Sequence, residues 1–190
     1  MKRTLIIMVK EPRPGRVKTR LGKGIGVIPA TWWFRHQSAG LIRRLRDPRW
    51  QIVLAVAPDR AVTSRVWPAD LPRLPQGHGD LGQRMKRMLQ SFPGPVCLIG
   101  ADIPGITCSC VARAFSALGD HDAVFGPADD GGYWLVGAKH PARLPRRLFE
   151  NVRWSTEHAL ADTLATLPGQ RVSLIDTLQD VDTAADLARR

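Results

Sequence analysis

Short apolar runs rich in β-branched residues recur along this chain at positions 5–9, 51–57, 96–99, 123–125, 133–136 and 171–175, with helix-period patterns between most of them. Runs of this size read as strands. Strands separated by helices favour parallel neighbours, because a parallel return needs a crossover long enough to hold a helix. The pattern therefore predicts an α/β chain whose sheet is mainly parallel and covered on both faces. Helices are expected over 28–46, 60–66, 81–92, 108–118, 156–167 and 183–190, with Asp80 and Ser155 placed to cap the third and fifth. One section breaks the alternation. Residues 123–125 and 133–136 flank Gly126-Pro-Ala-Asp-Asp-Gly-Gly132, which leaves no room for a helix and predicts a hairpin-like return, hence a mixed sheet. With 190 residues, 44% of them hydrophobic, the chain can bury one sizeable core, and a single domain over 1–190 is expected.

The first run is followed at once by Lys10-Glu-Pro-Arg-Pro-Gly-Arg-Val-Lys-Thr-Arg-Leu-Gly22. Open α/β sheets bind ligands outside the strand carboxyl ends, where this loop would lie. Prolines hold it extended, Gly15 permits close approach, and Arg13, Arg16, Lys18 and Arg20 offer charge suited to phosphate oxygens. The competing reading is a solvated basic surface loop. The net charge of +11 invites a nucleic-acid reading, yet the cations are spread along the whole chain, no nucleic-acid module is recognisable, and aromatic content is 6%. Acidic small molecules are the simpler partner. The three cysteines form no even disulfide framework and fit a reducing compartment. The apolar run near the start is too short for a signal-peptide core, and no stretch reaches membrane-spanning length, so a soluble, cytoplasmic chain with no membrane partner is expected.

Several carboxylates have positions that suit chemistry. Asp102 closes the strand-like run at 96–99 through Gly-Ala-Asp and would face the same crevice as the basic loop; it is either a turn cap or a ligand for Mg²⁺ or Mn²⁺. Asp180 and Asp182 alternate along an extended segment and so point to one side. Asp182 either caps the last helix or completes a metal site with Asp102. Asp186 is expected to face solvent. Asp129 and Asp130 beside Gly131 and Gly132 form either an ordinary turn or an acceptor for a hydroxyl group. Gly79 and Arg84 lie where a Gly-rich turn opens a helix, a place that favours anions; His78 reads as a loop residue. Trp154 either stacks on a ligand ring or packs in the core.

Taken together, Lys10-x-Pro-Arg-Pro-Gly-x-Val-Lys-Thr-Arg-Leu, Gly79-Asp-Leu-Gly-x-Arg-Met, Ile99-Gly-Ala-Asp-x-Pro-Gly, Gly126-Pro-Ala-x-Asp-Gly-Gly-Tyr, Arg153-Trp-Ser-Thr and Asp180-Val-Asp-Thr-x-x-Asp-Leu resemble, in order, one family long carried as a domain of unknown function. Its members are often labelled glycosyltransferases, some linked with arsenosugar biosynthesis. The resemblance implies a GT-A, Rossmann-like nucleotide-diphospho-sugar transferase fold, a three-layer sandwich related to molybdopterin and phospholactate guanylyltransferases. It also implies roles. Arg13, Gly15, Arg16, Lys18, Arg20, Gly79 and Arg84 would bind the nucleotide and its phosphates, Asp102 and Asp182 the metal. Asp130, Gly131, Gly132, Tyr133 and Trp154 would serve the acceptor, with Asp102, Asp130 and Lys18 as catalytic groups. Position 100 is Gly, so there is no Asp-x-Asp at Asp102; Ala101 and Ile103 stand where many relatives have Ser and Cys.

The function expected from these features is Mg²⁺- or Mn²⁺-dependent glycosyl transfer from a nucleotide sugar to a small-molecule acceptor. The runner-up is a guanylyl- or cytidylyltransferase-like nucleotidyl transfer to a phosphorylated acceptor with pyrophosphate release. A basic nucleic-acid-binding module without enzymatic activity is the alternative of another class. Oligomeric state is left open by the sequence.

Overall fold

Alternate side chains of the first apolar run go to opposite faces of a sheet. Leu5, Ile7 and Val9 join one core with Leu41, Ile42, Leu45, Val111 and Phe115, while Ile6 joins a second with Met85, Met88, Leu89 and Phe149. This two-residue period is what a strand buried on both sides requires. The computed structural model describes residues 2–188. Among them the elements run β1 (Thr4–Lys10), α1 (Thr19–Ile25), α2 (Val27–Arg44), β2 (Gln51–Ala57), β3 (Arg73–Pro75), α3 (Leu81–Gln90), β4 (Val96–Gly100), α4 (Cys108–Ala117), β5 (Ala123–Pro127), β6 (Tyr133–Ala138), α5 (Ala159–Ala165), β7 (Val172–Leu174) and α6 (Ala184–Ala188).

The strands make one seven-stranded sheet in the order β3-β2-β1-β4-β6-β5-β7. β6 runs antiparallel to both β4 and β5, and the other pairings are parallel. Helices α2 and α4 cover one face, α3 and α5 the other, so the expected three-layer α/β architecture with a mixed, mainly parallel sheet is what forms. β1 has β2 on one side and β4 on the other. The direction of winding reverses there, and the loops leaving β1 and β4 diverge from a shared crevice.

Four local expectations are corrected. The segment expected as a helix over 60–66 is a 3₁₀ turn, Asp59–Thr63. The Arg73 guanidinium donates to the carbonyls of Val62, Ser64, Trp67 and Pro68 and ties down the irregular chain that follows the turn. The helix expected from Thr156 begins only at Ala159. Ser155 sits at φ 61°, His158 holds the N-cap position, and the Thr156 hydroxyl donates to the Arg153 carbonyl, so Ser155 caps nothing. The basic loop is shorter than expected, because α1 starts at Thr19. Finally, β3 escaped notice, being three residues long and ending in Pro75, a residue tolerated at a sheet edge. Asp80 does cap α3: its carboxylate accepts from the Gln83 N–H at 2.8 Å while the Gln83 side chain accepts from the Asp80 N–H at 3.1 Å.

Past β7 the chain does not stop at the sheet edge. Leu178 bridges to Ala128, Val181 is fully buried, and α6 packs on α1 where Gly24 faces Ala184. A Cβ on Gly24 would stand 2.9 Å from that of Ala184, so the close approach depends on glycine there. This return carries residues 180–182 across the carboxyl ends of the strands. Position 183 of the expected last helix is instead its cap: the Thr183 hydroxyl accepts from the Asp186 N–H, and the Asp186 carboxylate accepts from the N–H groups of Asp182 and Thr183. Asp186 is therefore a capping group as well as a surface residue. Residues 189 and 190 lie outside the described residues.

Candidate active site

At the switch point between β1 and β4 lies a cleft of about 600 Å³, a size that suits a nucleotide-scale ligand. Its cationic side comes from the loop after β1 and from the first turns of α1 and α3: Lys10, Arg16, Lys18, Arg20 and Arg84 all line it. The opposing wall is apolar and aromatic, with Met8, Leu98, Val136, Tyr133, Trp134 and Trp154. Asp102 and Asp182 enter from the loop after β4 and from the returning C-terminal segment.

The centre of the cleft is an ion cluster. The Lys18 ammonium lies 2.9 Å from Asp102 Oδ2 and 2.6 Å from Asp182 Oδ1, and Arg20 reaches the other Asp182 oxygen at 3.4 Å. The Lys18 side chain is 6% exposed, whereas those of Asp102 and Asp182 are 38% and 36% exposed. Burial of Lys18 works against its charge, but the Asp102 and Asp182 carboxylates more than offset this and hold its pKa above the usual lysine value. Its backbone is left-handed, φ 45° and ψ 49°, a conformation that costs a non-glycine residue about 1–2 kcal/mol and that the surrounding contacts must supply. Beside the cluster, half-buried Asp180 is pushed up to about 6, first by burial and then by the like charge of Asp182, with Lys18 opposing and Asp130 and Asp102 adding to the rise.

Two carboxylates that converge on one ammonium also converge on a place where a divalent cation can sit, with Lys18 Nζ standing in for it. Among the described residues no cluster of three or more His, Cys, Asp or Glu side chains forms a ready-made metal cage. Asp102 and Asp182 with waters and substrate oxygens would be a normal Mg²⁺ ligand set. The donor set fits.

The structure divides the other candidates. Arg16, Lys18, Arg20, Arg84, Tyr133 and Trp154 line the cleft together with Asp102 and Asp182. Arg13 does not line it. Its guanidinium is 2.5 Å from Glu11 and lines a separate surface hollow with Arg35 and Arg65. Gly15 makes the loop's left-handed turn at φ 73°, and Gly79, at φ 99°, lets the chain enter the α3 capping box. Asp130 Oδ1 accepts from the Gly132 N–H at 2.9 Å, and Gly131 accepts from the Leu160 N–H, so this segment shapes the β5–β6 connection just outside the cleft lining. Trp154 packs on Phe149 and Tyr133, the core use expected of it, and also lines the cleft. Arg153 fixes it there by two side-chain bonds to Asp162 at 2.8 and 2.9 Å, which hold that carboxyl far below its usual range. Burial raises the Tyr133 hydroxyl well above the usual tyrosine pKa, with Thr163 opposing, so it is a neutral group at any physiological pH.

One contributor has no signal in the sequence. Gln76 is 3% exposed; its amide donates to the carbonyls of Val9 at 3.2 Å and Ala55 at 2.8 Å, and its carbonyl accepts from Arg84 at 3.1 Å. A buried amide with all three bonds directed inward aims Arg84 across the cleft from the end of β1. Replacing it, Gln76→Leu, removes the acceptor of one Arg84 guanidinium arm and a second donor to two carbonyls that the β1–β2 ladder already engages, at about 0.5–1.5 kcal/mol per lost bond. We expect a lowered urea midpoint together with weaker nucleotide binding in calorimetry. Unchanged values of both would show that Arg84 needs no such support.

Comparison with known proteins identifies the family and the fold. The family described as "Uncharacterized protein conserved in bacteria (DUF2064)" matches residues 41–156. The chain belongs to the DUF2064 family. No functionally curated protein matches it. Among solved structures, a Desulfovibrio desulfuricans G20 protein provisionally described as a nucleotide-diphospho-sugar transferase is similar at 28% identity and a TM-score of 0.85, over 98% of this chain and 85% of that one. A 4-diphosphocytidyl-2C-methyl-D-erythritol synthase from Anaerococcus prevotii shares the fold at 11% identity and a TM-score of 0.62, over 99% and 95%. A Mycobacterium tuberculosis H37Rv protein solved as a manganese complex does so at 14% and 0.57, over 100% and 97%. This DUF2064 member thus has the nucleotide-diphospho-sugar transferase fold. Among its described residues, no helix is long and apolar enough to cross a membrane.

Proposed function

We propose that the protein is a Mg²⁺- or Mn²⁺-dependent glycosyltransferase that takes a nucleotide-sugar donor and a small-molecule acceptor. The observation that carries this reading is the convergence of Asp102 and Asp182 on one cation position, inside a cleft that Lys10, Arg16, Lys18, Arg20 and Arg84 also line. Asp102 and Asp182 would hold the metal, which supplies neutralisation of the charge that develops on the departing diphosphate. Arg16, Arg20 and Arg84 bind and orient the phosphates, and their fixed positive charge stabilises that group further as it leaves. The wall formed by Tyr133 and Trp154 gives a flat apolar surface on which a sugar ring or acceptor can lie. Asp130 and the glycines after it would bound the acceptor side from the adjoining turn, with Asp130 receiving the acceptor proton. The likeness to the Desulfovibrio protein supports the donor class.

A nucleotidyltransferase is the second reading. Five cations around one cleft, Lys10, Arg16, Lys18, Arg20 and Arg84, suit a triphosphate, and the Anaerococcus synthase shows the fold on a cytidylyl-type enzyme name. Product analysis separates the two. With a panel of nucleotide sugars and Mn²⁺, the first reading predicts release of a nucleoside diphosphate and a thermal shift with the matching donor. Pyrophosphate release from a nucleoside triphosphate would move the assignment to the second. Failure of every nucleotide to shift the melting temperature, with or without Mn²⁺, would overturn both.

A further inference from the structure

The group that occupies the cation position is a side chain of the protein itself. Lys18 Nζ contacts both carboxylates, and its side chain is more deeply buried than either. Arg20 adds a second positive charge on Asp182. Asp102 and Asp182 are thus already balanced by Lys18 and Arg20, and a divalent cation added to this closed cluster would leave two positive charges uncompensated. It can enter if the ammonium leaves. Lysine suits such a move, being a compact charge on a flexible four-carbon stem, and the same cleft offers it an alternative partner only when an anion is bound among Lys10, Arg16 and Arg84.

We propose that Lys18 is a gate for the metal. Its ammonium holds Asp102 and Asp182 until donor phosphates arrive, then transfers to those phosphates and frees both carboxylates for a divalent cation. Metal and nucleotide therefore bind as a pair, each raising the other's affinity by the same factor, as linkage requires. The gate rests on the reading of the cleft as a nucleotide site. It adds that binding of the metal alone is suppressed by the protein's own residue, and it makes Lys18 the device that prevents a metal from being held without substrate.

The test is a Mn²⁺ titration followed by electron paramagnetic resonance of the free ion, using the metal alone on the full chain. Lys18→Met and Lys18→Gln should each bind one Mn²⁺ about tenfold or more tightly than the wild type, and a further Asp182→Asn change should abolish the gain. Equal Mn²⁺ affinity in the wild type and both folded variants overturns the gate. A measurement on the unaltered protein serves if the variants fail to fold. Saturation with whichever of GDP, CDP, UDP or ADP binds should raise wild-type Mn²⁺ affinity about tenfold or more, and no rise overturns the proposal. Tighter Mn²⁺ in the variants with no nucleotide bound by any form would leave Lys18 as a block on the metal but overturn its release by phosphates, and the transferase reading with it. Nucleotide binding with unchanged Mn²⁺ affinity would do the reverse.

Discussion

Asp102→Asn is expected to lower the transfer rate by about 100- to 1000-fold, the usual loss when one group aimed at developing charge is removed. The substitution keeps shape and hydrogen-bonding reach but removes the charge. Because Asp102 is more than one-third exposed, its pairing with Lys18 contributes no more than about 1 kcal/mol to stability, so the melting temperature should barely move. Steady-state kinetics beside a melting curve distinguish the two roles. A variant that melts normally but retains more than a tenth of the wild-type rate would take Asp102 out of the reacting centre.

The second large effect falls on stability. Trp134 on β6 is 2% exposed, stands over Gly126 of the neighbouring strand, and donates its indole N–H to the Asp176 carbonyl at 2.9 Å. Gly126 leaves the space for that ring, since a Cβ there would lie 2.3 Å from it. Trp134→Ala should cost about 3–5 kcal/mol in denaturant unfolding and lower the melting temperature by roughly 10 °C for a chain of this size. Trp134→Phe retains most of the volume and loses the bond to Asp176, so about 1 kcal/mol is expected. Asp176 begins the return that carries Asp182 to the cleft. Trp134→Ala should consequently also weaken metal-dependent nucleotide binding, and an unaltered affinity would show that the return holds its place without the indole.

The β1 run and the loop after it were legible for a simple reason. A strand buried on both faces must be apolar throughout, and a cationic Pro/Gly segment directly after it has few places to go. The hairpin between β5 and β6 was legible too, because no helix fits between Phe125 and Tyr133. Local pattern failed where a distant group decides the outcome. Arg73 ties the end of the 59–63 turn and the chain after it through the carbonyls of Val62 and Pro68, and nothing between 59 and 66 announces it. The site shows the same division. The meeting of Asp102 and Asp182 is legible as one of two alternatives from their places after a strand and along an extended segment, while their common partner Lys18 reads as a phosphate ligand. Burial of Lys18 between them is a tertiary fact with no trace in spacing. Gln76 was invisible for the same reason, and Arg13 was read with its neighbours although Glu11, two residues away, was there to take it.

Closing the ion cluster joins residues 164 positions apart, Lys18 and Asp182. The strap that makes the connection ends in α6, a five-residue helix with no buried residue, tied to the body through Val181 and the contact at Ala184. Segments of this kind sit at the low end of a protein's local stability and open without global unfolding. Opening of the strap would therefore break the cluster while the sheet stays folded. A ligand that draws on Asp182 would favour the closed strap, which couples occupancy of the cleft to order at the far end of the chain.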